Sequence, residues 1–423
     1  MNILIVSPRY PPSIGGIEYM VSRLALYLVE YGFNVTIITT NAVNQRPFTR
    51  FRCIEESRCG RLRVLRFPCI GFITGYIPIT PKLFLWCIKN MRKYDVVHVH
   101  GYGFITSDLI ALLSSLFRKP VILTTHGISQ EVLANYIYTS LSIANIVRKI
   151  FYIIYKKFIL AFSLRVYSKI IVVSRGEIAM LPKSVISKTI YIHNGVDLEE
   201  FEVNDTYVRG NGNNNEESSW KKVNGISNEE YVVLYMGRLD HGKGVDFLLK
   251  TISKIKELSF KLVIVSPKSA YEHEVMKIID ELNIRDHVLL TGPKIGLEKL
   301  RLLKVADIVV VPSIYELFYP PEISVIEGVA AGKPIVTIKT FKHIDTPVRN
   351  NLNGFLVKYS DIDGFMKALK TLIENKDLRE KFSKNSFKIA KQYSLIYTVN
   401  KYIEVYHELL GNHFAPITHI RST

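Results

Sequence analysis

Short β-branched runs alternate with amphipathic stretches through the first half of the chain. The runs at 2–6, 34–39, 95–100, 121–125, 169–173 and 189–192 have the length and side chains of strands. Between the first two, Ile17, Met20, Val21, Leu24 and Leu28 recur at helical spacing, and Gly32 closes the helix. Strand, helix and strand in repetition predict parallel strands joined by helical crossovers, a doubly wound α/β sheet. The stretch 204–228 breaks the rhythm: with "NGNNNEESSW" inside it, it reads as a linker or long exposed loop. Strand-like runs then return at 231–236, 261–265, 287–291, 307–311 and 335–338, separated by helical stretches such as 244–257, where Val245, Leu248, Leu249 and Ile252 form one stripe. The pattern predicts two doubly wound units in tandem. Ligands in such sheets bind at the carboxyl ends of the strands, so two facing units would share one cleft.

Composition agrees with this reading. A chain of 423 residues suits two domains, and 48% hydrophobic with 22% charged residues is the make-up of a folded chain. No secretory leader and no bilayer-spanning stretch stands out, and the four cysteines (Cys53, Cys59, Cys69, Cys87) lack metal-ligand spacing. Reduced thiols place the protein inside the cell. Charge changes the picture. Residues 1–200 hold 24 Lys and Arg against 11 Asp and Glu, whereas the remainder hold 31 against 27. A basic first half attracts something anionic: nucleic acid, a phosphorylated acceptor or an anionic membrane. No nucleic-acid-binding motif accompanies the charge, so no nucleic-acid partner is expected.

Candidate chemistry sits at the strand ends. Gly15-Gly16 lies between the first strand and its helix, where backbone amides can receive an anion or simply make a tight turn. "VVHVHGYG" and "LTTHG" end two further strands with His98, His100 and His126. Three histidines invite a metal reading, but no carboxylate or cysteine completes a ligand set, and no metal is expected. His126 is instead expected to meet a substrate hydroxyl, with His98 and His100 near the acceptor or packed beneath the loop. In the second half "MGRLDHGKGVD" matches a phosphate loop until Gly244, which stands where a Ser or Thr would hold magnesium. Arg238 and Lys243 remain, two cations in a glycine-relaxed turn before a helix, which suits a diphosphate. "PSIYELFYPPEISVIEGVAAGKP" adds Glu316, Glu322 and Glu327, acceptors for sugar hydroxyls. Diphosphate beside diols describes a nucleotide sugar.

These pieces together resemble the retaining GT-B glycosyltransferases of the glycosyl transferases group 1, family-4 type, over nearly the whole chain. The resemblance is carried by "GGIEYMVSRLALYL", "VVHVHG", "TTHG", "IIVVSRGE", "YIHNGVDLEEF", "MGRLDHGKGVDFLL", "ADIVVVPSIYE" and "VIEGVAAGKPIV" in this order. It implies a Rossmann-like acceptor domain at 1–200, a linker at 201–228, a donor domain at 229–392, and a last helix within 393–423 crossing back to the first domain. It also implies metal-independent transfer with retention from a nucleotide sugar, UDP- or GDP-linked, and no cofactor. Carried over, Arg238 and Lys243 match the diphosphate pair, Glu327 the ribose glutamate, Glu316 the sugar-contacting glutamate, His126 the histidine of the first domain and Gly16 its glycine loop. Ten residues separate Glu316 from Glu327 where the family has seven, so Glu316 and Glu322 compete for the sugar role.

Two rivals stay open: a nucleotide-sugar epimerase on the same fold, and a catalytically silent sugar-nucleotide-binding subunit. The acceptor reading rests on "IVRKIFYIIYKKFILAFSLRVYSK" (146–169), which mixes basic residues with large apolar ones. Such a segment is either a core helix or a surface that seats the first domain peripherally on the inner, anionic face of the cell membrane, with a glycan or lipid-linked sugar as acceptor.

Overall fold

The computed structural model describes residues 1–45, 48–50, 55–58, 60–73, 77–128, 146, 150, 153–201, 215–314, 322–339 and 345–411. Two compact units emerge, Met1–Asn194 with Ile396–Thr423, and Gly195–Leu395.

The first unit is built on an eight-stranded sheet ordered Thr189–Tyr191, Lys169–Val172, Val121–Thr124, Val96–His100, Asn2–Val6, Asn34–Thr40, Leu62–Phe67, Glu55–Arg58. Every neighbouring pair is parallel except the last. The central strand has no exposed face: Ile3, Leu4 and Ile5 are wholly buried. A parallel strand covered by helices on both sides must be apolar throughout, which is why its sequence does not alternate. Each predicted strand is present, its ends shifted by a residue or two. Leu62–Phe67 was not predicted, because "LRVLRF" interleaves arginines with its buried Leu62, Val64 and Leu65. The Arg66 guanidinium donates to the Pro11 carbonyl, so this charge has an internal partner. The last helix, Leu395–Leu410, buries Val399, Tyr402, Ile403 and Tyr406 along one stripe.

The second unit is a six-stranded, fully parallel sheet in the order Val288–Leu290, Phe260–Val265, Tyr231–Met236, Ile308–Val311, Ile335–Ile338, Gly354–Val357. Its core runs from Val233 and Tyr235 through Leu248, Leu249 and Phe260 to Phe365 and Phe382. One expectation is corrected here. Within the supposed linker, residues 202–213 and 214 lie outside the described residues, but Asn215–Val223 is an α-helix. Glu217 and Lys221 pair along it, and the buried Lys221 ammonium donates to the Glu230 carbonyl. The polar composition conceals a helix with one anchored face.

Strand order fixes where a ligand can bind. In the first sheet the order reverses between Asn2–Val6 and Val96–His100; in the second, between Tyr231–Met236 and Ile308–Val311. At such a reversal the loops leave in opposite directions and open a crevice at the carboxyl ends of the strands. The loop at 100–103 and the turns at 237–244 and 312–314 leave from these strands.

Candidate functional site

In the second unit the turn after Tyr231–Met236 is held in one shape by its neighbours. The Asp240 carboxylate accepts the Lys243 amide at 3.1 Å and caps the short turn His241–Lys243. The Tyr235 hydroxyl donates to the Arg238 carbonyl at 2.8 Å, and the Ser313 hydroxyl to the Gly242 carbonyl at 3.2 Å. Gly244 then turns into the helix Val245–Ile252 with φ +71°, and a Cβ there would lie 2.1 Å from the Pro312 carbonyl oxygen. A serine or threonine at this position would be strained and would have to displace the Pro312 backbone. That is the physical reason the phosphate-loop pattern stops at Gly244.

The cations expected for a diphosphate are thus carried on a rigid turn. The Arg238 side chain is 60% exposed and lies 3.5 Å from Asp240. Lys243 is largely enclosed, its ammonium 2.6 Å from Glu322, which precedes the helix Ile323–Ala330. Glu327, in the second turn of that helix, is buried and pairs at 2.5 Å with Lys299. Glu322 and Glu327 are therefore brought to the expected neighbourhood already holding lysines. Glu316 lies outside the described residues. Lys299 was missed by sequence reasoning: it is 28 positions from its partner, and nothing local marks it.

In the first unit Gly16 begins the helix Gly16–Glu30. Glu18, buried in its first turn, folds over Gly15 so closely that a Cβ at 15 would lie 2.2 Å from its carboxylate. The chain's own carboxylate complements this helix end. The histidines do gather, but not as equals. His98 is wholly buried, with Nδ1 2.7 Å from the Tyr406 hydroxyl and Nε2 2.7 Å from the Thr124 hydroxyl. Both its nitrogens are taken, so it packs beneath the loop and does not line an acceptor surface. His100, also buried, lies against His98 with ring centres 4.1 Å apart and the rings tilted by 38°, and reaches His126, Nδ1 to Nε2, at 2.8 Å. Only His126 is part-exposed, and it sits in the left-handed region with φ +52°. Burial pushes His98 and His126 down to about 3 and His100 well below the usual histidine range, so all three rings are neutral near pH 7.

A further buried carboxylate secures the loop that carries His126. Glu177, fully buried, accepts a hydrogen bond from the Thr125 hydroxyl. Burial pushes it up to about 7 against hydrogen bonds from Thr125 and from the backbone of Val173, Gly127 and Ser174. Nothing in "IIVVSRGE" marks this glutamate, whose Thr125 partner lies 52 residues away.

The segment 146–169 resolves into two faces. Arg148, Lys149 and Phe151 lie outside the described residues. Tyr155, Leu160, Ser163 and Leu164 turn inward, where Asp108 accepts the hydroxyls of Tyr155, Ser163 (2.7 Å) and Tyr167 (3.2 Å). Outward stand Ile150, Ile153, Ile154, Phe158 and Phe162, each more than half exposed, beside the exposed Lys156, Lys157 and Arg165. Among the described residues no helix is long and apolar enough to cross a membrane.

Comparison with known proteins agrees with the geometry. Residues 14–200 match the family model described as Glycosyltransferase Family 4, and 216–389 that of Glycosyl transferases group 1. The chain is 24% identical to the GDP-mannose:cellobiosyl-diphosphopolyprenol alpha-mannosyltransferase of Xanthomonas campestris, covering 97% of this chain and 98% of that one. It is 23% identical to the UDP-Gal:alpha-D-GlcNAc-diphosphoundecaprenol alpha-1,3-galactosyltransferase of Escherichia coli, over 78% and 79% of the two chains. Among solved structures, Anabaena HepE in complex with UDP and glucose superposes with a TM-score of 0.72 at 18% identity, covering 96% of this chain and all of that one. The two family models, which between them span most of the chain, the relatives and the shared GT-B fold lead to one conclusion: this chain belongs to the glycosyl transferases of group 1, family-4 type.

Proposed function

We propose that the protein transfers a hexosyl unit, with retention of anomeric configuration, from a nucleoside diphosphate sugar to a hydroxyl of a lipid-linked saccharide. The observation that carries this reading is the Arg238–Lys243 turn, fixed by Asp240, Tyr235 and Pro312 at the point where the second sheet reverses its order. Negative charge grows on the departing nucleoside diphosphate, and cations held in place before the reaction stabilise it without reorganisation. Glu327 is assigned to the ribose and Glu316 or Glu322 to the donor sugar. With two fixed cations supplied by the protein, turnover is expected to persist in a chelator. The donor base, uridine or guanosine, follows the two relatives by name only.

The acceptor assignment draws on those relatives, both named for diphosphopolyprenol or diphosphoundecaprenol acceptors, and on the outward face of residues 150–165. Apolar side chains flanked by lysines are what an interfacial segment presents to anionic lipid. The wholly buried face tied to Asp108 would keep such a segment attached to its domain. Peripheral seating on an anionic cytoplasmic membrane face is the expected location.

The test is to supply UDP-, GDP- and ADP-sugars with a polyprenyl-diphosphate-linked saccharide in anionic vesicles and to analyse the lipid product by NMR. The reading expects one donor to yield a new glycoside of the donor's own anomeric configuration. Interconversion of the nucleotide sugar without glycoside would indicate the epimerase, and binding without either reaction a silent subunit. Cosedimentation that neither prefers anionic vesicles nor weakens in salt would remove the membrane assignment.

A further inference from the structure

His100 and His126 share one hydrogen bond between two neutral rings, and a neutral imidazole has a single N–H. Of His100's nitrogens, Nδ1 faces His126 Nε2 at 2.8 Å, while Nε2 is shut from solvent and has no hydrogen-bond partner among the described residues. Two proton arrangements satisfy the shared bond. In one, His126 donates from Nε2, and His100 must then carry its proton on the enclosed Nε2, burying an N–H that bonds to nothing. In the other, His100 donates from Nδ1, and the enclosed Nε2 is a bare lone pair. Orphaned buried N–H groups are among the rarest features of folded proteins, and an unmade donor bond carries its full desolvation penalty. The second arrangement is the less costly one.

The geometry points to His100 as the residue that sets the tautomer of His126: His100 donates from Nδ1, His126 accepts at Nε2, and His126 therefore carries its proton on Nδ1. The ring of His98 keeps this arrangement in place. His98 lies against His100 and is itself held at both nitrogens by Tyr406, from the last helix, and Thr124. The left-handed backbone at 126 and the Glu177–Thr125 bond fix the loop from above. A ring whose remaining nitrogen carries the proton can donate a hydrogen bond to a substrate oxygen but cannot take a proton from one. On the glycosyl-transfer reading, on which this last step rests, His126 orients an oxygen of the donor or acceptor and is not the general base. His100 is a positioning residue.

Selective 15N labelling of histidine imidazoles, with His126 assigned through His126→Gln, reads the tautomers directly by two-bond 1H–15N correlation. The expected result is Nδ1–H at His126 and at His100 in the wild type, and loss of the single tautomer at His126 in His100→Leu. His100→Asn places an amide N–H where Nδ1 stood and is expected to restore it. In transfer assays His100→Leu should lower kcat about tenfold with little change in donor KM, and His100→Asn should recover most of the loss. An Nε2–H tautomer at His126 in the wild type overturns the inference. So does a His100→Leu protein, folded by circular dichroism, with unaltered tautomer and kcat. The tautomer measurement stands even if no sugar transfer is found, so failure of the functional reading and failure of this one are separately visible.

Discussion

The polar residues of the two units are held at equivalent places in similar sheets, and they are held in different charge states. In the first unit burial disfavours charge: His98 and His126 are pushed down to about 3, Asp108 up to about 6 and Glu177 up to about 7. In the second unit the conspicuous residues form ion pairs, Lys243 with Glu322 at 2.6 Å and Lys299 with Glu327 at 2.5 Å. A buried cluster that carries little charge suits hydroxyls, whose hydrogen bonds it can direct without drawing charge out of water. A charged cluster suits an anion, and pairing its lysines with carboxylates keeps them compensated while no anion is present. The fold is shared; the two clusters differ in how their buried polar groups are paired.

The largest effect expected from breaking this contrast lies in the second unit. Arg238→Ala and Lys243→Ala should each lower turnover ten- to more than a hundredfold, since a charge-assisted hydrogen bond contributes about 1.5–3 kcal/mol and about 1.4 kcal/mol is tenfold in rate. Steady-state kinetics on folded variants checks this, and near-wild-type rates in both would remove the diphosphate assignment. Gly244→Ala comes next. It must carry a side chain at φ +71° and against the Pro312 carbonyl, and a strained non-glycine residue alone costs about 1–3 kcal/mol. Denaturant unfolding should show a loss of at least about 2 kcal/mol, together with weaker nucleotide binding.

Glu327→Ala should weaken binding of a bare nucleoside diphosphate about tenfold by calorimetry, whereas Glu322→Ala and Glu316→Ala should spare it and alter sugar discrimination. Whichever of the latter two changes sugar preference identifies the sugar carboxylate. A pH-dependent effect sharpens the first unit's side. Glu177 is raised from 4.5 to about 7, so its contribution to stability is present below pH 4.5 and is lost as pH rises through 7. Glu177→Gln removes that dependence. Relative to wild type the variant should gain stability between pH 5 and pH 8, by about 1 kcal/mol per pH unit at the steepest. Equal differences at both pH values, measured by denaturant midpoints, would contradict the shifted carboxyl.

Much of this was legible in the sequence where the signal is local. Strands such as Ile335–Ile338 are uninterrupted apolar runs, the 237–244 turn carries its own glycines, and histidines at the ends of "VVHVHG" and "LTTHG" announce a site. What was hidden depends on contacts between distant elements. Lys299 finds Glu327, Thr125 finds Glu177 and Asp108 gathers three hydroxyls only after the crossovers have packed. His98 and His126 look alike in sequence, and the contacts of His98 with Tyr406 from the last helix and with Thr124 separate a buried ring from a part-exposed one. The strand Leu62–Phe67 was hidden for a related reason: its arginines read as surface until Arg66 is seen bonded to Pro11.

The claim that the second unit holds a diphosphate is tested most directly by titrating nucleoside, nucleoside monophosphate and nucleoside diphosphate of the preferred base into wild type and Lys243→Ala. Affinity should rise in that order in the wild type, with the gain from the second phosphate falling steeply in the variant while nucleoside binding stays the same. Equal affinities for nucleoside and nucleoside diphosphate, or a variant that keeps the full gain, would contradict the account.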